Sequence, residues 1–507
     1  MLCVRSLEAL RSPESHKRLL EARDLYKESI QECIEYGNTW QAAATYVLLG
    51  QHYLRMMYSG RTIPVGEALT HLEAAEALYI EMRQGYKQLG GMNAVETWIR
   101  STEDHSSREL YRTMVTLPCG GFKSGEYNNV KWLAVQKAKA QGLAMLAKVQ
   151  TEGDTSDART VPFGPQHVDL ITTIVGQDIV FIDWYCDFSL GGKDSIIMVT
   201  ARSGEEPQYF LLAIKESAVE KQARDILSII SKIPGRFRKN HAQVLKSLQP
   251  LVDPISKVSK PGETLVLSPA SVMNGLPLLA FEVDGELLIR RNPLVYTSSM
   301  AFIFNAVVAR YDSEEQSSTK PWKASVVGDP PTPEGKAGLS QVAATLDTVA
   351  HTGQDNTQSL FRTAIKNSQL FHYHGHATFD EENPLEHRLE FDDNPLTVQN
   401  IFDLSPLSNC YHATLLACGS GMARITASNE VLGLVSALMF SGAASTVSTL
   451  WSIDDKDAAL FAPVFYARFG KALKDGSGKE DLAKAVQEAA SSILVGVIGE
   501  RCSAWKN

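Results

Sequence analysis

The chain has 507 residues, 44% of them hydrophobic and 21% charged, with a formal net charge of −9 and a pI near 5.8. That length exceeds one ordinary domain, and the balance of residue classes is that of a soluble globular protein. The acidic balance argues against a general nucleic-acid binder or a membrane-surface protein. Seven cysteines, at 3, 33, 119, 186, 410, 418 and 502, are odd in number, thinly spread and without a CxxC pair. They form neither a disulfide framework nor a zinc ribbon, which fits a reducing, cytoplasmic setting. The opening "MLCVRSLEALRSPES" carries no apolar core of signal-peptide length.

Residues 1 to 150 read as helices throughout. "LLEARDLYKESIQECIEYG" closes on Gly37, where a helix C-cap is expected. "TWQAAATYVLLGQHYLRMM" and "GEALTHLEAAEALYIEMRQG" follow, with Ala, Leu and Tyr recurring three and four apart. Amphipathic segments of helix length, joined through Gly or Pro, suggest a helical-repeat array similar to tetratricopeptide repeats; an irregular helical bundle is the alternative. "VKWLAVQKAKAQGLAMLAKVQ", 130 to 150, ends this region as its clearest helix.

"TEGDTSDARTVPFGP", 151 to 165, is a linker by composition. Beyond it, from 166 to 507, apolar β-branched runs appear: "DIVFIDWY", "SIIMVTA", "YFLLAI", "TLVLSPA", "ELLIRRNPLVY", "ASVVGDP", "QLFHYHGHA", "HATLLACGSG" and "STVSTLW". Helical stretches fall between many of them, at 216–232, 337–350, 357–367 and 430–440. Short, near-continuous apolar strands alternating with helices predict an α/β region with a largely parallel sheet buried on both faces. The basic stretch "KIPGRFRKN", 232 to 240, reads as a solvated loop. "DSEEQSSTKP", 312 to 321, is a second exposed loop, dividing either two subdomains or two lobes of one sheet. The uncharged window 431 to 450 is long enough to span a bilayer. Its Ser, Thr and Gly content and the break at Ser441-Gly442 instead predict a buried helix, a tight turn and a buried strand.

Two strands end in reactive residues, where parallel sheets gather ligands. "QLFHYHGHATFD" places His372, His374 and His376 two apart, hence on one strand face. "HATLLACGSG" delivers Cys418 into a Gly-Ser-Gly turn, which leaves the thiol exposed and nearby N–H groups free to lower its pKa or hold an oxyanion. Alone, such a cysteine is more often a small buried apolar residue, and such a histidine structural. Together they match caspase-type cysteine proteases in order and approximate spacing, with Cys418 42 residues after His376.

From about 165 onward the chain resembles a CHAT domain, the caspase-like peptidase module commonly found behind helical repeats, and more distantly the separases. The likeness is a series in order. "PGETLVLSPASVMNGLPLLAFEVDGELLIRRNPLVYTSS", "SVVGDP", "LFHYHGHATFD", "LEFDDNPLTVQNIFDL", "ATLLACGSG" and "NEVLGLVSALMFSGAASTVSTLWSIDD" each resemble successive family segments. "VQKAKAQGLAMLAKV" resembles the helix that joins repeats to peptidase. The resemblance implies Cys418 as nucleophile and His376 as the catalytic histidine, with the backbone amides of Cys418 and Ala377 as oxyanion hole. It implies a structural role for His372 and none for His374. The implied activity is acyl transfer on a protein substrate, with no cofactor, no EF-hand calcium loop, no nucleic acid and no membrane. The helical repeats would bind a protein partner or restrain the peptidase.

The chain departs from the family in three places. Ala377 stands where glycine is usual, "MNGLPLLAF" lacks histidines often present there, and "GERCSAWKN" replaces an expected closing strand. A metal site on the three histidines is the first rival, but in a strand they would lie in line over about 13 Å at ~3.3 Å per residue, so at most two would meet one ion. The second rival is an inactive caspase-like scaffold or signalling adaptor, which would have no chemical need for both His376 and Cys418. A serine hydrolase is unsupported, because "ACGSG" forms no Gly-x-Ser-x-Gly elbow around Ser420. Asp380, Asp392, Asp393, Arg388 and Arg424 lie in loops that could shape a P1 pocket, of opposite preferences, and the sequence does not choose among them.

Overall fold

The structure, a computed structural model, describes residues 13–58, 65–88, 105–116, 124–139, 164–189, 193–230, 240–300, 303–304, 307, 322–404, 407, 409–426, 431–474 and 481–501. The basic stretch up to 239, the loop at 312–321, most of the linker, residues 140–150 and Cys3, Cys119 and Cys502 lie outside them. Two compact units emerge: Met1–Asp169 with Asp183–Ser217 and Thr426–Glu430, and Leu170–Ile182 with Ala218–Ile425 and Val431–Asn507.

Among the described residues the first unit carries five helices: α1 (Pro13–Glu35), α2 (Thr39–Tyr58), α3 (Val65–Gln88), α4 (His105–Thr116) and α5 (Ser124–Ala138). α1 ends as expected. Gly37 takes φ +68, and Asn38 N donates to Cys33 O (2.8 Å) while Gly37 N donates to Ile34 O (3.0 Å), a Schellman pair of bonds. Leu72, Tyr53, Leu110, Tyr111 and Val135 form a shared core with Tyr185. At its edge Lys139 and Asp183, both nearly inaccessible, form an ion pair, and Gln136 Nε2 donates to the second Asp183 oxygen. Burial pushes the Lys139 pKa down against the opposing pull of Asp183. α6 (Pro165–Val175) and β1 (Ile179–Ser189) follow, then β2 (Lys193–Ala201) and β3 (Gln208–Leu211), which pair antiparallel.

In the second unit, α7 (Glu216–Ile230) and α8 (Asn240–Leu248) precede β4 (Thr264–Ser268) and β5 (Leu294–Tyr296), a parallel pair. "ELLIRRNPLVY" is therefore not one strand. Glu286–Leu287 closes a two-residue hairpin, Leu288–Arg291 forms a turn of helix, and only Leu294–Tyr296 joins β4. The reason is Arg291, which turns inward to bond Ser259 and Asn292.

The main sheet runs in the order β13-β12-β8-β6-β7, every neighbouring pair parallel. Its strands are β6 (Ala324–Gly328), β7 (Ala350–His351), β8 (Leu370–His374), β12 (His412–Leu416) and β13 (Thr446–Ser448). β8 and β12 are buried along their whole length, as strands covered on both faces must be. α9 (Pro333–Thr345), α13 (Asp455–Lys474) and α14 (Leu482–Arg501) cover one face through Leu339, Val342, Phe465, Tyr466 and Ala485. α10 (Gln358–Asn367) covers the other, its Phe361 meeting Phe371 edge-on at 4.7 Å. Strand alternation thus sends Phe371 and Tyr373 to α10, and His372 and His374 to α13. α9 starts four residues earlier than its sequence period suggests because Thr332 caps it by accepting from Gly335 N. After β8 come β9 (Ala377–Thr378), β10 (Arg388–Leu389) and β11 (Leu396–Thr397), a small antiparallel sheet, and α11 (Val398–Phe402), opened by a capping box between Thr397 and Asn400. The 431–450 window holds α12 (Leu434–Ser441), a left-handed Gly442 and then β13. No helix of the described residues is long and apolar enough to cross a membrane.

Candidate active site

β8 and β12 set the geometry. They are adjacent and parallel, with His374 opposite Leu416 in the last paired position. Two residues beyond those positions, past the carboxyl ends of both strands, stand His376 and Cys418. Gly375 N still bonds Leu416 O (3.2 Å), which keeps the two strand ends together for one more residue. His376 is exposed and Cys418 half-buried.

Cys418 enters a turn that needs glycine. Gly419 has φ +69, and a Cβ there would meet Met422 Sδ at 2.9 Å. The amides of the turn are mostly occupied, contrary to the expectation that they stay free. Gly419 N donates to Trp451 O (3.1 Å), Ser420 N to Ala417 O (3.0 Å) and Gly421 N to Thr449 O (2.8 Å). The Cys418 amide itself has no acceptor among the described residues. The Ala377 amide is also spared. Ala377 lies opposite Leu389 where the ladder bonds run through the flanking residues, Glu390 N donating to His376 O (2.9 Å). The thiol donates to Ile453 O at 3.7 Å.

The other two histidines are occupied elsewhere. His372 and His374 share the α13 face, ring centroids 6.3 Å apart, whereas His376 lies beyond the strand. His372 Nδ1 bonds Tyr466 Oη (3.2 Å), whose hydroxyl donates to Thr414 Oγ1 (2.7 Å). Thr414 meets His412 Nε2 (3.0 Å), and His412 Nδ1 meets Ser445 Oγ (2.9 Å), which donates to Tyr411 O (2.8 Å). Donors and acceptors fit only one direction, from His372 through to Tyr411, with both imidazoles neutral. Burial, with His374 and His412 nearby, holds the His372 pKa well below the ordinary value. His374 Nε2 donates to Asp455 Oδ1 (2.7 Å), and burial lowers its pKa against the pull of that carboxylate. No group of three metal-ligating side chains is assembled among the described residues.

Sequence reasoning missed His387, which is fully buried between Phe379, 5.1 Å away ring to ring, and the Gly419 backbone. No local signal marks it, because its neighbours come from distant segments. The charged loop residues are locally engaged: Asp380 accepts from Asn383 N (2.8 Å), Asp393 from Gln358 N (2.8 Å), Arg388 bonds Glu390 (2.9 Å), and Arg424 donates to Glu382 O (3.0 Å). Asp392 is exposed.

A parallel sheet sandwiched by helices, with a histidine and a cysteine beyond the carboxyl ends of two neighbouring strands, is a caspase-like α/β fold. The CHAT domain family model matches residues 242–505, more than half of the chain, and the chain belongs to that family. The 3.0 Å crystal structure of the Saccharomyces cerevisiae separase–securin complex aligns with a TM-score of 0.50 at 9% identity, covering 88% of this chain. The 2.6 Å structure of the same complex gives 0.49 at 10% identity, covering 89%. This chain spans 40% of the matched chain in each, and the likeness to the first is one of fold alone. No curated protein matches the sequence.

Proposed function

We propose that the chain is a cysteine endopeptidase in which Cys418 is the nucleophile and His376 the general acid and base. The observation that carries this reading is the β8–β12 register, which sets the two residues at equivalent steps beyond adjacent strand ends. In the reaction the Cys418 thiolate attacks a peptide carbonyl, and the tetrahedral oxyanion is held by the amides of Cys418 and Ala377. His376, having taken the proton of the Cys418 thiol, delivers it to the leaving amine, then takes one from the water that hydrolyses the thioester and returns it to Cys418. The substrate is a protein segment, and no cofactor enters. The helical region, with Tyr36 and Trp40 exposed at its first turn, binds a protein partner or restrains the peptidase.

A second reading, an inactive caspase-like scaffold, draws on the Cys418 thiol being bonded to Ile453 O rather than to an imidazole. Incubation with a proteome-derived peptide library separates the two. The peptidase reading expects new amino termini from the wild type and none from Cys418→Ala or His376→Ala. Termini identical in all three, or absent from all, would favour the scaffold.

A further inference from the structure

The segment after β13, Thr449 to Asp455, runs along the Cys418 turn and is tied to it at alternate residues. Thr449 O accepts from Gly421 N (2.8 Å), Trp451 O from Gly419 N (3.1 Å), and Ile453 O from the Cys418 thiol (3.7 Å). Two residues later, Asp455 opens α13 and joins two further elements. Its Oδ1 accepts from His374 Nε2 (2.7 Å), and its Oδ2 accepts from Thr332 N (3.2 Å) and from the Thr332 hydroxyl. Thr332 is in turn the cap of α9. The joint is almost dry, with side-chain exposures of 3% for His374 and 14% for Asp455. It is also tightly packed, since a Cβ on Gly328, opposite His374 in the sheet, would stand 2.0 Å from the His374 carbonyl oxygen. A thiol that donates to a carbonyl is held in one orientation, turned toward that oxygen.

We propose that His374, Asp455 and Thr332 form a clamp that seats the 449–455 segment, so that the Ile453 carbonyl pins the Cys418 thiol in a resting orientation. The inference rests on the reading of Cys418 as the nucleophile. The three clamp residues are positioning residues: they touch neither the thiol nor a substrate, and act through the segment that does. Loosening the clamp withdraws the carbonyl and leaves the thiol free to turn.

The test is the rate of iodoacetamide alkylation at Cys418 in the full chain at pH 7, mapped by mass spectrometry. Asp455→Ala is expected to alkylate about fivefold faster, as a thiol no longer pinned is reached more readily. Asp455→Asn can keep both contacts once His374 changes tautomer, and is expected to stay near the wild-type rate, which a merely destabilised helix would not explain. Thr332→Ala, with the His374 contact intact, is expected to move in the same direction by a smaller factor. An unchanged rate in folded Asp455→Ala overturns the proposal; should that variant fail to fold, an unchanged rate in Thr332→Ala overturns it. Alkylation needs no peptide cleavage, so an inactive chain with a faster-reacting thiol would sink the peptidase reading and leave the clamp standing.

Discussion

A fully buried imidazole with neither ring nitrogen hydrogen-bonded weighs against the fold, and His387 is such a residue. Burial pushes its pKa down to about 4, and an interaction with the Gly419 backbone, outside bonding geometry, offsets only part of that. A pKa below the ordinary 6.5 means that the unfolded chain binds the proton more readily. The stability concerned is therefore complete above pH 6.5 and is lost as pH falls toward 4. His372 and His374 are shifted in the same direction. Between pH 7 and pH 5 the His387 share is about 2 kcal/mol. Urea unfolding of His387→Leu should accordingly show a shallower loss of stability over that interval than the wild type, and parallel curves would contradict this. Gly419 yields a second expectation at this scale. Alanine there must hold φ +69 at a cost of about 1–2 kcal/mol and press on Met422. Gly419→Ala should keep the fold by circular dichroism while slowing alkylation or acylation at Cys418; an unaltered rate would show that the turn is not what presents the thiol.

At the scale of elements, the β8–β12–α13 sandwich is held by a one-way relay of hydrogen bonds as well as by apolar packing. Tyr466→Phe removes its centre, leaving His372 Nδ1 and the Thr414 hydroxyl short of a partner. A loss of about 1–3 kcal/mol is expected in denaturant titration, and no loss would mean that water takes the tyrosine's place. On β1, Asp183→Ala removes the carboxylate that pairs with Lys139, at an expected cost of about 3–5 kcal/mol. The double change Asp183→Leu with Lys139→Met should recover most of that; recovery of none would place the penalty elsewhere. These elements differ in how plainly the sequence announces them. β8 and β12 are near-continuous apolar runs and could be read directly, as could the Gly37 cap. Leu288–Arg291 could not, since nothing local tells that Arg291 turns inward to Ser259. The same holds for the site. The proposed pair, His376 and Cys418, is marked by its place at strand ends, but Asp455 meets His374 across 81 residues, and that contact exists only once α13 packs on the sheet.

The whole molecule joins a helical region to a caspase-like CHAT domain, and the two place different demands on an experiment. If the helical region governs the peptidase, removal of residues 1 to 128 should change the labelling rate at Cys418 or the recovery of a partner; a truncated chain that matches the full one in both would contradict that role. The central claim concerns the other region. Its most direct test is labelling of the purified full chain with a peptidyl acyloxymethyl ketone, read by mass spectrometry in the wild type, Cys418→Ala and His376→Ala. The account predicts a single adduct, on Cys418, that falls away when His376 is replaced. Equal modification of several cysteines, indifferent to His376, would contradict it.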